Sequence, residues 1–291
     1  MRGVALTLPD AGRVQLRGTI LGEETRIRTK GLKAKLGPAV IAIRGAIEDP
    51  AVEGRFDLEI ETDGAVEAND VLSNLTSVRD RIYGPLLFDC RVTGRLDDPA
   101  GVTSTLAGEV RFTIGEDGGG RLRGVSLLRT ILDQIPLVGQ AVSVSRAIRG
   151  GRSVGDYFAD RFDVIEGDFA IGDGRVDAET LRLAHPGYEA WLTGPVRLED
   201  LAIDMSGYVL LKGDLVGAIS GLAGADVPDR DPIRIELAKV TNTLTEPKVE
   251  MTAETLAAVP KLLIQGTGLD TITLGIGKGV GRALDRVLGG N

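Results

Sequence analysis

The chain has 291 residues, 43% of them hydrophobic, and a mean hydropathy of +0.07, which suits one large globular domain or two ordinary ones and excludes a disordered chain. A net charge of -8 argues against a nucleic-acid partner, because phosphate binding needs clustered Lys and Arg to displace counterions. The single cysteine, Cys90, excludes an internal disulfide, and aromatics are so few that aliphatic side chains must fill the core.

Glycine is the compositional outlier, at 40 residues, about twice the usual share of roughly 7%, and no G-X-Y period accounts for it. In chain order, the pattern apolar, any, Gly, any, apolar recurs as Leu16-Gly18-Ile20, Ile43-Gly45-Ile47, Val52-Gly54-Phe56 and Val92-Gly94-Leu96. It returns as Leu106-Gly108-Val110, Ile165-Gly167-Phe169, Leu192-Gly194-Val196 and Met205-Gly207-Val209. Most copies sit in longer period-2 runs, the mark of a strand with one buried face. Phe56, Leu58 and Ile60 alternate with Arg55, Asp57 and Glu59. Leu86, Phe88, Cys90, Val92, Gly94 and Leu96 form a row in which Cys90 reads as a small core residue. Tyr188, Ala190, Leu192, Gly194, Val196 and Leu198 face away from Glu189, Trp191, Thr193, Pro195, Arg197 and Glu199, and Ile203, Met205, Gly207, Val209 and Leu211 repeat the scheme. About eleven strands fit, separated by turn signals such as Glu48-Asp49-Pro50, Asp97-Asp98-Pro99 and Gly172-Asp173-Gly174. A mid-strand glycine on the apolar face forfeits packing. It either marks a bulge or bend that lets a long sheet curl, or it leaves room on that face for something bulky.

The strand cadence breaks between 121 and 161. Val125, Leu128, Ile131, Leu132 and Ile135 recur at helical spacing until Pro136 ends or kinks that helix. A second helical stretch runs from Gly139 towards Ile148, and Gly150, Gly151 and Arg152 read as a linker. Ser153 and Asp156 match a capping box opening a short helix with Val154, Phe158 and Phe162 on one face. The predicted fold is mainly β: a long curled antiparallel sheet, groove-like or taco-like, with a helical insert and a C-terminal amphipathic helix. Its parts are a first β segment (1–120), the insert (121–161), a second β segment (162–252) and a helical tail (253–291). In the tail Ile276, Val280, Ala283, Leu284, Val287 and Leu288 share one face, with Lys278, Arg282 and Arg286 elsewhere, so the stripe caps a core or lies on a membrane surface.

No constellation for catalysis emerges. His185, the only histidine, stands in His185-Pro186-Gly187, a turn where a surface or hinge role is expected. One histidine and one cysteine cannot form a familiar zinc site, and no nucleophile elbow accompanies a possible triad. A dinucleotide fingerprint from Gly275 needs glycine at Val280, and a P-loop needs glycine at Ile272 and Ser or Thr at Gly279. Asp97 with Asp98, and Asp173 near Asp177, read as turn chemistry rather than acid and base or calcium ligands. The chain is therefore expected to act without catalysis, cofactor or metal.

Three stretches carry a resemblance. Leu106-Ala107-Gly108-Glu109-Val110-Arg111-Phe112, followed by a glycine turn and Leu122-Arg123-Gly124-Val125-Ser126-Leu127, opens the series. Phe162 to Leu183 follows, containing Gly167-Asp168-Phe169-Ala170-Ile171-Gly172-Asp173-Gly174-Arg175-Val176. Last comes Leu192-Thr193-Gly194-Pro195-Val196-Arg197-Leu198-Glu199-Asp200-Leu201. In this order, over residues 104 to 211, they resemble the C-terminal region of the AsmA-like family of bacterial envelope proteins. Pro195 departs from the small residue usual there, and the family's N-terminal membrane helix is missing, so the parent's inner-membrane anchor is expected outside this chain. The resemblance implies a periplasmic, non-enzymatic protein with a hydrophobic groove that moves phospholipid or another acyl-chain lipid between inner and outer membranes, with a membrane at one or both ends. Leu16, Ile43, Phe56, Leu58, Val92, Val110, Phe169, Leu192, Gly194, Met205, Gly207 and Val209 are the groove candidates. A closed β-sandwich assisting outer-membrane assembly fits the same alternation, and a hydrolase using scattered carboxylates is the third possibility.

Overall fold

Aliphatic residues at every second position give the backbone no continuous helical face, and pleated strands follow. The computed structural model describes residues 4–7, 13–75, 79–99, 101–116, 118–124, 160–197, 202–222, 231–243 and 246–264. Its strands are β1 (Val4–Thr7), β2 (Arg13–Gly22), β3 (Arg26–Leu36), β4 (Ala39–Glu48), β5 (Arg55–Thr62), β6 (Val66–Glu67), β7 (Ile82–Tyr83), β8 (Pro85–Arg95) and β9 (Ala107–Ile114). They continue as β10 (Gly120–Leu122), β11 (Arg161–Phe162), β12 (Val164–Gly172), β13 (Arg175–His185), β14 (Tyr188–Arg197), β15 (Ala202–Leu211), β16 (Ile233–Thr243) and β17 (Glu246–Met251). The helices are α1 (Ala68–Leu75), α2 (Val102–Thr105), α3 (Gly213–Leu222) and α4 (Ala253–Ile264).

One antiparallel sheet runs in the order β1-β2-β3-β4-β5-β8-β9-β12-β13-β14-β15-β16-β17, with β6 also on β8; β11, β10 and β7 form a small second sheet. Strand β9 pairs directly with β12, Ile114 opposite Ile165 and Gly108 opposite Ile171. The two predicted β segments are thus halves of one sheet. The stripe from 276 to 288 and residues 125 to 159 of the predicted helices lie outside the described residues, but Phe162, expected on the face of the third helix, is corrected: it is buried in strand β11, opposite Gly120 of β10.

Three bulges set the register. Arg17 faces Lys33 but Thr19 faces Lys30; Ala178 faces Gly194 but Leu181 faces Leu192; Met205 faces Val240 but Gly207 faces Leu237. Each inserts an extra residue, in β3, β13 and β16 respectively, and shifts inward side chains from one parity to the other. Thus Thr29 gives way to Leu32, Ala178 to Leu181 and Leu237 to Val240, and the apolar face stays apolar.

The two ends of the sheet differ. The connection from β5 through α1, that from β15 through α3, and α4 after β17 all leave from the end where Leu86, Leu211 and Met251 lie. At the other end the connections include the two-residue turn Asp173-Gly174, where both residues take positive φ (51° and 73°). One predicted strand is corrected there. Val52, Glu53 and Gly54 donate their backbone N–H groups to the Asp49 carbonyl, so this copy of the glycine pattern is a turn, and Val52 is 74% exposed.

Candidate functional site

The twelve residues singled out from the sequence all fall on one face of the large sheet. Leu32, Ile43, Ile60, Cys90, Val110, Phe169, Ala178 and Gly194 stand side by side across eight adjacent strands. Beside them runs Gly45, Leu58, Val92, Gly108, Ile171, Val176, Val196 and Ile203. On the other flank run Phe88, Phe112, Gly167, Leu181, Leu192, Gly207 and Leu237. Leu16 faces Ala34, Phe56 faces Ile47 and Gly94, Met205 faces Val240, and Val209 joins Ala190 and Ile235.

Their burial divides the face. Towards β14–β17 it is sealed: Val209, Leu211, Leu215 and Ile235 are inaccessible, and Leu192 and Met205 share their cluster with Val216 of α3 and, at its margin, Leu256 of α4. Under α1, Ala68 and Val71 cover Leu36, Ile41, Leu86, Ile114 and Ile165. Between these caps, Ile43, Leu58, Ile60, Phe88, Val110, Phe112, Phe169 and Ile171 are only half-buried. Phe112 and Phe169 stack with centroids 5.5 Å apart.

The glycines resolve into two kinds. Gly45, Gly108 and Gly207 hold φ of +142°, +159° and +158°, and a Cβ on them would come within 2.0, 2.0 and 1.9 Å of the carbonyl oxygens of Asp57, Arg91 and Trp191 on the next strand. Gly18 and Gly194 are similar, at 2.6 Å from such oxygens. These Cβ atoms would enter neighbouring backbone, so the glycines serve close strand approach. Gly94 and Gly167 differ: their Cβ atoms would strike the rings of Phe56 at 2.6 Å and Phe169 at 2.4 Å. Here missing side chains seat aromatic ones, as in the pairing of glycine with a cross-strand or same-strand ring.

The opposite face is polar and charge-paired. Arg91 binds Asp57, Arg111 binds Glu109 and Asp168, and Arg182 binds Glu166 and Glu189. Arg182 lies over Trp191, Trp191 stacks near Tyr208, and Arg234 covers Tyr208 at 3.7 Å. A cleft of about 700 Å³ opens here, lined by Arg91, Glu109, Arg111, Asp168 and Glu179. Its arginines are held by carboxylates, and the charge it leaves without an ion pair among the described residues is the carboxylate of Glu179.

His185 is corrected from a surface position: it is 3% exposed, accepts the Gly187 backbone N–H on Nδ1 at 3.1 Å and stacks on Tyr188 at 4.7 Å. The tight turn folds the ring back over the strand that follows. Asp97 is bound by Arg95, whose hydrogen bond holds its carboxyl below the ordinary range. Asp177 is bound by Arg175, and Asp173 occupies a turn. No group of three or more His, Cys, Asp or Glu residues suited to a metal occurs among the described residues, and no helix among them is long and apolar enough to cross a membrane. No family model, curated protein or solved structure matches the chain.

Proposed function

We propose that the chain is a non-enzymatic lipid carrier whose sheet curls about its apolar face, forming a groove for the acyl chains of phospholipid. The observation that carries this reading is the row Ile43, Ile60, Cys90, Val110 and Phe169, continuous across strands, half-buried except at the buried Cys90, and flanked by Leu58, Phe88, Phe112 and Ile171. Burying apolar surface contributes about 0.8 kcal/mol per CH₂, so a 16-carbon chain gains roughly 12 kcal/mol in such a row. Apolar contact reads no headgroup, so selectivity among lipid classes is low. With the AsmA-like sequence blocks, this reading puts the protein's work at the periplasmic face of the envelope, with a membrane at one or both ends, and those blocks are what supports it.

The test is capture of lipid. A photo-crosslinking residue at Ile43 or Val110 should trap phospholipid, whereas one at Arg44 or Arg111 should not. Protein purified without detergent should carry phospholipid in native mass spectrometry. Absence of lipid in both experiments overturns the reading. It would favour instead a closed structural module, which the sealed cluster of Val209, Leu211, Leu215 and Ile235 supports. Gly194 and Gly207 cannot distinguish the two readings, because any side chain there collides with strand backbone.

A further inference from the structure

The charge is unevenly spread. Residues 13 to 36 hold seven Lys and Arg against two Glu, in a chain of net charge -8. On β2 and β3, Arg17, Arg28, Lys30 and Lys35 are exposed and form no ion pair among the described residues. They share the polar face: Arg17 faces Lys33, Lys30 faces Thr19, Arg28 faces Leu21 and Lys35 faces Gln15. On the large sheet Arg55 and Arg95 are cross-strand partners, yet each holds its own carboxylate, Glu53 and Asp97; on the small sheet Arg121 faces Arg161 with no ion pair among the described residues. Lys33 is held by Asp63, which leaves Arg17, Arg28, Lys30 and Lys35 as a positive patch on an end of the sheet.

The same end is apolar at its rim. Strand β1 pairs only with residues 13 to 16 of β2, leaving residues 17 to 22 without a partner on that side among the described residues. Ile20 and Leu21 in this open stretch are 57% and 47% exposed, one on each face of the sheet.

We propose that this end of the sheet docks edge-on against an anionic membrane surface, with Ile20 and Leu21 entering the interface and Arg17, Arg28, Lys30 and Lys35 meeting lipid phosphates. Cations beside exposed aliphatic residues suit a bilayer interface; a nucleic acid would match the cations but leave Ile20 and Leu21 in water. The proposal does not rest on the groove carrying cargo.

The experiment is flotation of the full chain with phosphatidylcholine vesicles, with and without a third of phosphatidylglycerol. Binding is expected only with the anionic lipid, and should fail in about 1 M salt, where charges are screened beyond about 3 Å. Each cation near an anionic surface is worth about fivefold in binding. The combined variant R17Q, R28Q, K30Q and K35Q should therefore bind at least about a hundredfold more weakly, with an unchanged circular dichroism spectrum. The charge-keeping variant R17K, R28K, K30R and K35R should bind as the parent does, and I20S with L21S should bind more weakly. Equal binding to neutral vesicles, no binding to anionic ones, full binding by the glutamine variant, or tighter binding to duplex DNA than to vesicles each overturns the proposal. Lipid crosslinked at Val110 without vesicle binding would sink the docking surface and leave the groove standing.

Discussion

Gly45 and Gly108 decide how closely adjacent strands can approach. With φ of +142° and +159° and a neighbouring carbonyl oxygen 2.0 Å from any added Cβ, alanine must both strain the backbone and push the strands apart. Gly45→Ala or Gly108→Ala should cost at least about 2–3 kcal/mol, measured by denaturant unfolding. Gly22 and Gly172 also lie in strands, but open space surrounds them and their φ is ordinary; Gly22→Ala and Gly172→Ala should change stability by less than about 0.5 kcal/mol. A large effect at the second pair would show that composition rather than geometry governs these sites. Cys90 gives a residue-scale pH effect. Burial, reinforced by the Asp89 carboxylate, pushes its thiol up to about 11, whereas an unfolded thiol titrates near 8.5. The folded chain keeps its proton while the unfolded chain loses it, so stability is complete below about pH 8.5 and falls towards pH 11. Cys90→Ala should flatten that alkaline decline, and a thiol reagent at pH 8 should react with Cys90 only on unfolding.

The bulges in β3, β13 and β16 explain why apolar residues can sit three apart and still share a face. Deleting Glu179 removes the extra residue of β13 and leaves Ala178 and Leu181 two positions apart, so unbroken alternation keeps Leu181 and Leu183 on the apolar face. The deletion variant should therefore keep a cooperative unfolding transition; its loss would mean that the bulge itself, rather than the facing it preserves, is required. Strand identity and facing were legible because period-2 alternation is local: all twelve candidate residues share one face, and Cys90 is buried as its row required. The parity changes left a signal in the spacings Thr29-Leu32, Ala178-Leu181 and Leu237-Val240, readable only once strands were assumed to continue through them. Helices α1 and α3 are eight and ten residues long, too short for a strong periodic signal. Ala68, Val71 and Leu72, and Leu215 and Val216, were their available traces. The alternation could not say which rows a helix would seal, because burial of Met205 or half-exposure of Val110 depends on what crosses the sheet. Leu215→Ala, which empties a site in the sealed cluster, should cost about 2–5 kcal/mol as read from the shift in denaturant midpoint. Phospholipid captured at Val110 should be unaffected.

At the scale of the molecule, the pairing of β9 with β12 makes one sheet of two sequence segments separated by residues 115 to 163. An open sheet transmits stability through each ladder, since every interior strand relies on neighbours for its backbone hydrogen bonds and for half of its side-chain contacts. Removing either segment would leave β9 or β12 as a long edge bearing Val110 and Phe112, or Phe169 and Ile171, with no partner. Such an edge is a site for misassociation, so neither segment is expected to hold its structure alone. The chain carries its own reporters, one in each half: its single cysteine, Cys90, on β8, and its single tryptophan, Trp191, on β14. Trp191 is stacked between Arg182 and Tyr208, so its fluorescence should follow the second segment, while reactivity of buried Cys90 follows the first. In a denaturant series the two signals should share one midpoint, the mark of a two-state transition. If Cys90 becomes reactive at clearly lower denaturant than the Trp191 change, the ladder between β9 and β12 does not couple the segments, and the apolar rows cannot act as one continuous surface.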